Sequence, residues 1–208
     1  MTAKPRGVST IEWLRKPLTI LAALVFLALV AMYRSRWEEG SPILPALFFL
    51  GGCILAGVGA LGRMWCSLYV SGYKTTRLVA TGPYSMCRHP LYFFTLLGAL
   101  GVGLTTATLT LPALIALGFG LYYPAVIRAE EAKLRRKHQD LYEAYCQRTP
   151  AFFPRISRFT EPEEYLTHPR IFRSHLWSAV WFIWLIGVLE VLKAVQRAGL
   201  MPFRLLLY

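Results

Sequence analysis

Two groups of chemistry-bearing side chains stand at the two ends of one uncharged stretch. Before it come Tyr84, Arg88, His89, Pro90 and Tyr92; after it come Arg128, Glu130 and Glu131, with Tyr122 and Tyr123 just inside its end. Residues 90–127 contain no Asp, Glu, Lys or Arg. As one helix they would reach about 57 Å at 1.5 Å per residue, nearly twice the ~30 Å hydrocarbon core of a bilayer. The stretch must therefore fold back on itself, which brings the two groups to one membrane face. Pro90 suits the first turn of a helix, where its missing N–H costs nothing, and it keeps His89 extended. The free N–H groups of that helix start, with Arg88 beside them, make a corner suited to an anion. Opposite, Glu130 and Glu131 suit an ammonium or sulfonium, and the tyrosines at this level offer aromatic faces to a cation. An anion end facing a cation end fits a zwitterionic, amino-acid-like ligand. Plainer roles fit the same spacing: Glu131 with Arg135 at i+4 and Glu130 with Lys133 at i+3 on a solvated helix, and Arg88 and His89 on lipid phosphate.

The elements that must position these groups are membrane helices. The chain has 208 residues, of which 55% are hydrophobic and 16% charged, against roughly 45–50% and 25% for soluble domains. Residues 17–33 and 40–62 are also free of charge. Disorder, a disulfide-knit secreted domain and an ordinary soluble enzyme are excluded by this pattern. The formal charge of +12 would suit nucleic acid, but the cations flank apolar segments instead of forming a stripe with interleaved stacking aromatics. Nucleic acid is therefore not an expected partner; membrane lipids are. The four cysteines, Cys53, Cys66, Cys87 and Cys146, form no C-x-x-C pair and have no His at ligand spacing, so no metal site is expected. Serine-hydrolase, Walker, Rossmann and zinc-protease patterns are absent.

The expected architecture is all-α, a single polytopic membrane domain over residues 1–208 with about five helices. Helix one covers about Pro17 to Tyr33 and is read as retained, since its apolar run is long for a signal peptide and lacks a small-residue cleavage site. Helix two runs from about Ser41 to Gly62, with room to continue past Arg63 toward Tyr69; its five glycines allow close approach by a neighbour. Helices three (Pro90 to about Leu104) and four (about Leu111 to Ile127) form a tight antiparallel hairpin, turning through Thr105–Thr110 before Pro112. A fifth helix spans about His175 to Leu192, with Trp177, Trp181 and Trp184 on one face. His168-Pro169-Arg170 reads as a surface turn, and Leu134, His138, Leu141 and Tyr145 as the docking stripe of a juxtamembrane helix. With these helices, alternate connections carry 18 and 5 of the Lys and Arg residues. The positive-inside tendency then makes the N-terminus, residues 63–90 and residues 128–175 cytoplasmic, in a bacterial inner membrane or the endoplasmic reticulum.

Gly82-Pro83-Tyr84-Ser85-Met86-Cys87-Arg88-His89-Pro90-Leu91-Tyr92 resembles the G-P-Y-x-x-x-R-H-P-x-Y motif of the isoprenylcysteine carboxyl methyltransferase and phospholipid methyltransferase superfamily. Glu130-Glu131 followed by Leu134, Tyr142, Tyr145, Thr149-Pro150 and Phe153-Pro154 is similar to its second motif. The resemblance covers about Thr76 to Pro154; helices one and two match it only in being apolar. It implies a membrane methyltransferase that takes S-adenosylmethionine from the cytosol and a lipophilic acceptor from the bilayer: a prenylated cysteine carboxylate, a phospholipid amine or a small hydrophobic thiol. By that resemblance Tyr84, His89, Pro90, Tyr92, Glu130 and Glu131 hold the cofactor, and Arg88, Arg128 and Glu130 act at the reacting groups. Set against it is a non-catalytic scaffold or small transporter, which would ordinarily place ionisable groups at mid-membrane.

Overall fold

A computed structural model of the chain describes residues 21, 23–40, 43–73, 77–200 and 205–207. The N-terminal cations, the expected start of helix one at Pro17 and the edge of the motif region at Thr76 lie outside the described residues.

The chain is nearly all helical. In order come α1 (Ala23–Met32), β1 (Tyr33–Ser35), α2 (Trp37–Gly40), α3 (Ile43–Val70), α4 (Pro83–Met86), α5 (Pro90–Leu104), α6 (Thr110–Arg148), α7 (Pro169–Arg197) and β2 (Leu205–Leu207). Among the described residues α3, α6 and α7 are long and apolar enough to cross a membrane, whereas α1 and α5 are shorter apolar helices. Polytopic membrane architecture is thus shown. One feature departs from an all-helical chain: β1 and β2 pair in parallel, Tyr33 opposite Leu205.

The close approach expected of helix two is realised against α5, which packs principally on α3. A methyl group added at Gly59 would collide with the backbone of Gly98, and one at Gly101 with the backbone of Ala56. Small residues let two backbones approach, and dispersion replaces the hydrophobic drive that lipid cannot supply. Phe182 of α7 closes over Gly98 and joins Val30, Tyr33, Ala56, Ala60, Val102, Leu111 and Leu189 in the core. The opposite faces are lipid-like: Leu47, Ile54, Leu61, Leu117, Leu121, Trp177 and Trp184 are exposed.

The fifteen residues of α5 span only about 22 Å at 1.5 Å each. Its turn into α6 is therefore buried in protein, with Thr105, Thr106 and Thr108 essentially inaccessible. Irregular backbone at that depth must be hydrogen-bonded internally. Tyr33 Oη donates to Thr106 O at 3.1 Å, Ser35 Oγ to Ala107 O at 2.5 Å, and Lys193 Nζ to Thr105 O at 2.5 Å. Gln196 Nε2 donates to the carbonyls of Val30 and Ala31 at 2.9 and 3.0 Å. The ends of α1 and α7 thus lock the hairpin tip, leaving the opposite end of the molecule to hold the site.

Three expectations are corrected. The last helix begins at Pro169, so His168-Pro169 is a helix start rather than a surface turn, with His168 as its N-cap packed against the Tyr73 ring at 5.5 Å. The fourth helix does not end near Ile127 but runs through Pro124 to Arg148, broken at Gln139 (φ 41°, ψ −118°). That break shifts the helical register, so the buried residues beyond it are Tyr142 and Tyr145, while Leu141 of the expected stripe is 70% exposed.

Candidate active site

The two groups separated by the hairpin do meet. Arg88 Nη2 lies 2.9 Å from Glu131 Oε1, and His89 Nε2 lies 3.2 Å from the same oxygen. Tyr92 Oη donates to Glu130 Oε2 at 2.8 Å, the oxygen 3.9 Å from His89 Nδ1. His89 and Tyr92 stack at 5.8 Å and 18°, and Tyr123 packs edge-on against Tyr92 at 5.1 Å. The cross-hairpin pairs bind the carboxylates to the first motif. Arg135, which spacing offered to Glu131, instead pairs with Glu143 across the Gln139 break.

The two carboxylates are not equivalent. Glu131 is 15% exposed and serves both Arg88 and His89, whereas Glu130 is 31% exposed and lines the cavity. The hydrogen bond from His89 holds the Glu131 carboxyl below its ordinary range, helped by the Arg88 charge and opposed by burial. Glu131 thereby fixes the imidazole and guanidinium in place, and Glu130 presents a carboxylate to whatever enters.

The cavity has a volume of about 290 Å³ and is walled by Tyr84, Arg88, His89, Tyr92 and Glu130, near the lower end of the ~300–1,000 Å³ typical of ligand pockets. Pro90 is fully buried at the first position of α5 and orients the wall without lining it. His89 has φ −123° and ψ 53°, short of the extended conformation expected before proline. Arg128 does not join the group: it is exposed, and its Nε donates to Pro124 O on its own helix at 3.1 Å. Tyr122 also stands outside the cavity wall, edge-on to Tyr123 at 5.5 Å.

The free N–H groups expected at the start of α5 are largely taken. The N–H groups of Arg88 and His89 donate to the carbonyls of Pro150 and Ala151 at 2.9 and 3.1 Å, and those of Tyr92 and Phe93 to His89 O at 3.1 and 3.2 Å. The anion-binding capacity of the corner therefore resides in the Arg88 side chain, whose buried Nε has no hydrogen-bond partner among the described residues. The chain after α6 forms a strap over the first motif. Arg155 N–H donates to Met86 O at 3.0 Å, Gly82 N–H to Thr160 O at 2.8 Å, and Tyr145 Oη to Tyr84 O at 2.6 Å. Burial raises the Tyr145 phenol well above its usual range, so it stays a neutral donor.

Sequence reasoning missed Arg63 and Ser67 on α3, Arg77 and His175, which also line the cavity. Arg63 had a signal: it is the only charged residue in the 28 residues of α3. His175 had none, because its place depends on how α7 crosses the bundle.

A sequence model of the phospholipid methyltransferase family matches residues 44–140. The nickel-cobalt-cadmium resistance protein NccN of Alcaligenes xylosoxydans xylosoxydans is 40% identical over 188 residues, 90% of this chain and 86% of that protein. The cobalt-zinc-cadmium resistance protein CzcN of Cupriavidus metallidurans is 41% identical over 182 residues, 88% of this chain and 80% of that protein. This chain belongs to the phospholipid methyltransferase family. The family match begins inside α3, so the resemblance extends further toward the N-terminus than the two motifs indicated, and it ends before the strap. No solved structure matches the chain.

Proposed function

We propose that the protein is an S-adenosylmethionine-dependent methyltransferase acting on a membrane-soluble acceptor at the cytoplasmic face of a bacterial inner membrane. The observation that carries this reading is the direct contact of the two motifs on one cavity wall, Tyr92 on Glu130 at 2.8 Å and Arg88 on Glu131 at 2.9 Å. The donor set fits the cofactor. The Glu130 carboxylate suits its ammonium, the buried Arg88 Nε, without a partner among the described residues, suits its carboxylate, and the Tyr84 and Tyr92 rings suit its flat and cationic parts. When bound, S-adenosylmethionine supplies an electrophilic methyl group on a sulfonium.

The rest falls to the chain. Glu131 holds Arg88 and His89 in fixed positions, Glu130 orients the ligand's charged end, and the strap from Pro150 to Thr160 pins the backbone of the first motif. Rate enhancement then comes from alignment and desolvation rather than from covalent chemistry by the protein. The metal-resistance names of the two relatives supply a setting: methylation of a membrane component during metal stress.

The test is calorimetric titration of S-adenosylmethionine into detergent-purified protein, followed by transfer of its radiolabelled methyl into a lipid extract. One-to-one binding that weakens tenfold or more in Glu130→Gln is expected; folded wild-type protein that binds no cofactor refutes the reading.

A further inference from the structure

The strap between α6 and α7 carries an exposed apolar surface of its own, apart from the cavity. Phe153 and Ile156 are 73% and 80% exposed and Phe159 is 40% exposed, and none of the three lines the cavity. Interleaved with them are Arg155 and Arg158, both exposed and without an ion pair among the described residues. Residues 144–160 contain three arginines and no Asp or Glu. The next acid, Glu161, accepts from the Tyr69 hydroxyl, and Glu163 and Glu164 follow beyond it. The one regular element of the run is a single 3-10 turn, Ile156–Arg158, which has no helical face to pack against the bundle. Large apolar side chains alternating with unpaired cations thus point outward from a segment whose backbone is fixed to the first motif.

The depth of the strap is set by what it packs on. Phe152 lies 5.9 Å from the Phe93 ring of α5 and 6.0 Å from that of Phe119 in α6, and Phe153 lies 6.5 Å from Phe93. Phe119 belongs to the charge-free residues 90–127 and to a helix long and apolar enough to cross a membrane. At the other end of the run, Phe159 lies 5.7 Å from Trp65, near the end of α3. The strap therefore runs where spanning helices pass from hydrocarbon to headgroups. At that level acyl chains accept apolar side chains, aromatic rings are favoured, and a guanidinium meets lipid phosphate with its planar fork. We infer that residues 153–159 are an interfacial anchor: Phe153, Ile156 and Phe159 enter the adjoining leaflet, and Arg155 and Arg158 engage the phosphates of anionic lipids. The partner is the bilayer surface, outside the cavity, and the inference stands independently of the methyltransferase reading.

The test uses full-length Ile156→Cys protein, with Cys53 and Cys146 replaced by Ala and Cys66 and Cys87 left in place, both fully buried. It is labelled with an environment-sensitive fluorophore and placed in nanodiscs of phosphatidylcholine alone or with about one-third phosphatidylglycerol. Phe153→Cys, at a second exposed side chain, carries the test if Ile156→Cys does not fold. A nitroxide on a shallow acyl carbon of the lipid is expected to quench the label more than aqueous acrylamide does, and at least twofold more strongly in the anionic discs. Adding Arg155→Gln and Arg158→Gln is expected to abolish that twofold difference, as is high salt. A label quenched by acrylamide and not by the lipid nitroxide overturns the anchor. A composition difference that survives in the folded double variant overturns the role of the arginines. Protection from acrylamide that is present in detergent-solubilised dimers and absent from monomers would give the face to a second copy and overturn the lipid partner.

Discussion

Glu130 and Glu131 are adjacent in sequence and opposite in consequence, and replacing each by Gln separates them. Glu131 accepts from Arg88 at 2.9 Å and lies 3.2 Å from His89 Nε2, with side-chain exposures of 15% for the two ion-pair partners and 4% for the imidazole. Removing one partner of a fully buried pair costs about 3–5 kcal/mol, and of a surface pair about 0–1 kcal/mol. At 15% exposure, with one oxygen retained by Gln, about 2 kcal/mol is expected for Glu131→Gln. Glu130 is twice as exposed, and Gln can still accept from Tyr92, so Glu130→Gln is expected to cost less than about 0.5 kcal/mol of stability. Its effect falls on ligand binding instead, with a tenfold loss corresponding to about 1.4 kcal/mol.

Thermal unfolding of both variants in one detergent, paired with cofactor titration, reads the two effects independently. The Glu131 contribution also has a pH signature. The hydrogen bond from His89, helped by the Arg88 charge, holds its carboxyl below the ordinary carboxylate value in the folded chain, so the stabilisation is fully present above the unfolded value and is lost as pH falls through the folded one. The difference between wild type and Glu131→Gln should therefore be constant near neutrality and vanish in acid. Equal destabilisation by the two substitutions, or a Glu131→Gln protein as stable as wild type at pH 7, would refute the division of roles.

Three further outcomes are expected. In intact cells Cys146 should resist an impermeant maleimide and react after lysis, which places residues 128–175 inside; Cys87, fully buried and with its thiol pushed up to about 12 chiefly by burial, should stay unreactive until denaturation. His89→Ala should lower cofactor affinity or turnover at least tenfold, about 1.4 kcal/mol, while His168→Ala, the other imidazole before a proline, should be near neutral at equal folded yield. Gly59→Val should cost about 1–3 kcal/mol or prevent folding, because the added side chain meets the Gly98 backbone; Gly57→Ala, with nothing within 4 Å of its added methyl, should be neutral or slightly stabilising by thermal unfolding.

Membrane constraints made the frame legible. A charge-free run too long for one helix dictated the hairpin, and the observed α5 keeps the expected bounds, Pro90–Leu104. The glycines of α3 declared a backbone approach that α5 fulfils. What period alone could not supply was the Gln139 break, because a 3.6-residue pattern assumes an unbroken helix and a positive φ at Gln139 has no signal in residue type. His168-Pro169 was misread for a related reason. The apolar part of α7 starts a turn or more after Pro169, behind Arg170 and Arg173, so hydropathy located the membrane segment and not the helix that carries it.

The site shows where local spacing stops being informative. Glu130 with Lys133 and Glu131 with Arg135 satisfy the i+3 and i+4 rules, yet Glu131 is taken by groups 42 and 43 residues away, His89 and Arg88. An exposed intrahelical pair gains only about 0.2–0.5 kcal/mol, whereas leaving Arg88 half-desolvated without an anion would cost several times that. The long-range pairing therefore wins wherever the backbone brings both partners together, and the hairpin does so. Arg128 obeys the same logic in reverse. With no buried group to satisfy, it bonds back to the Pro124 carbonyl, an acceptor near a proline in its own helix, and remains in solvent. Proximity in sequence to a reactive pair is thus a weaker guide to function than the need of a buried charge for its counterion.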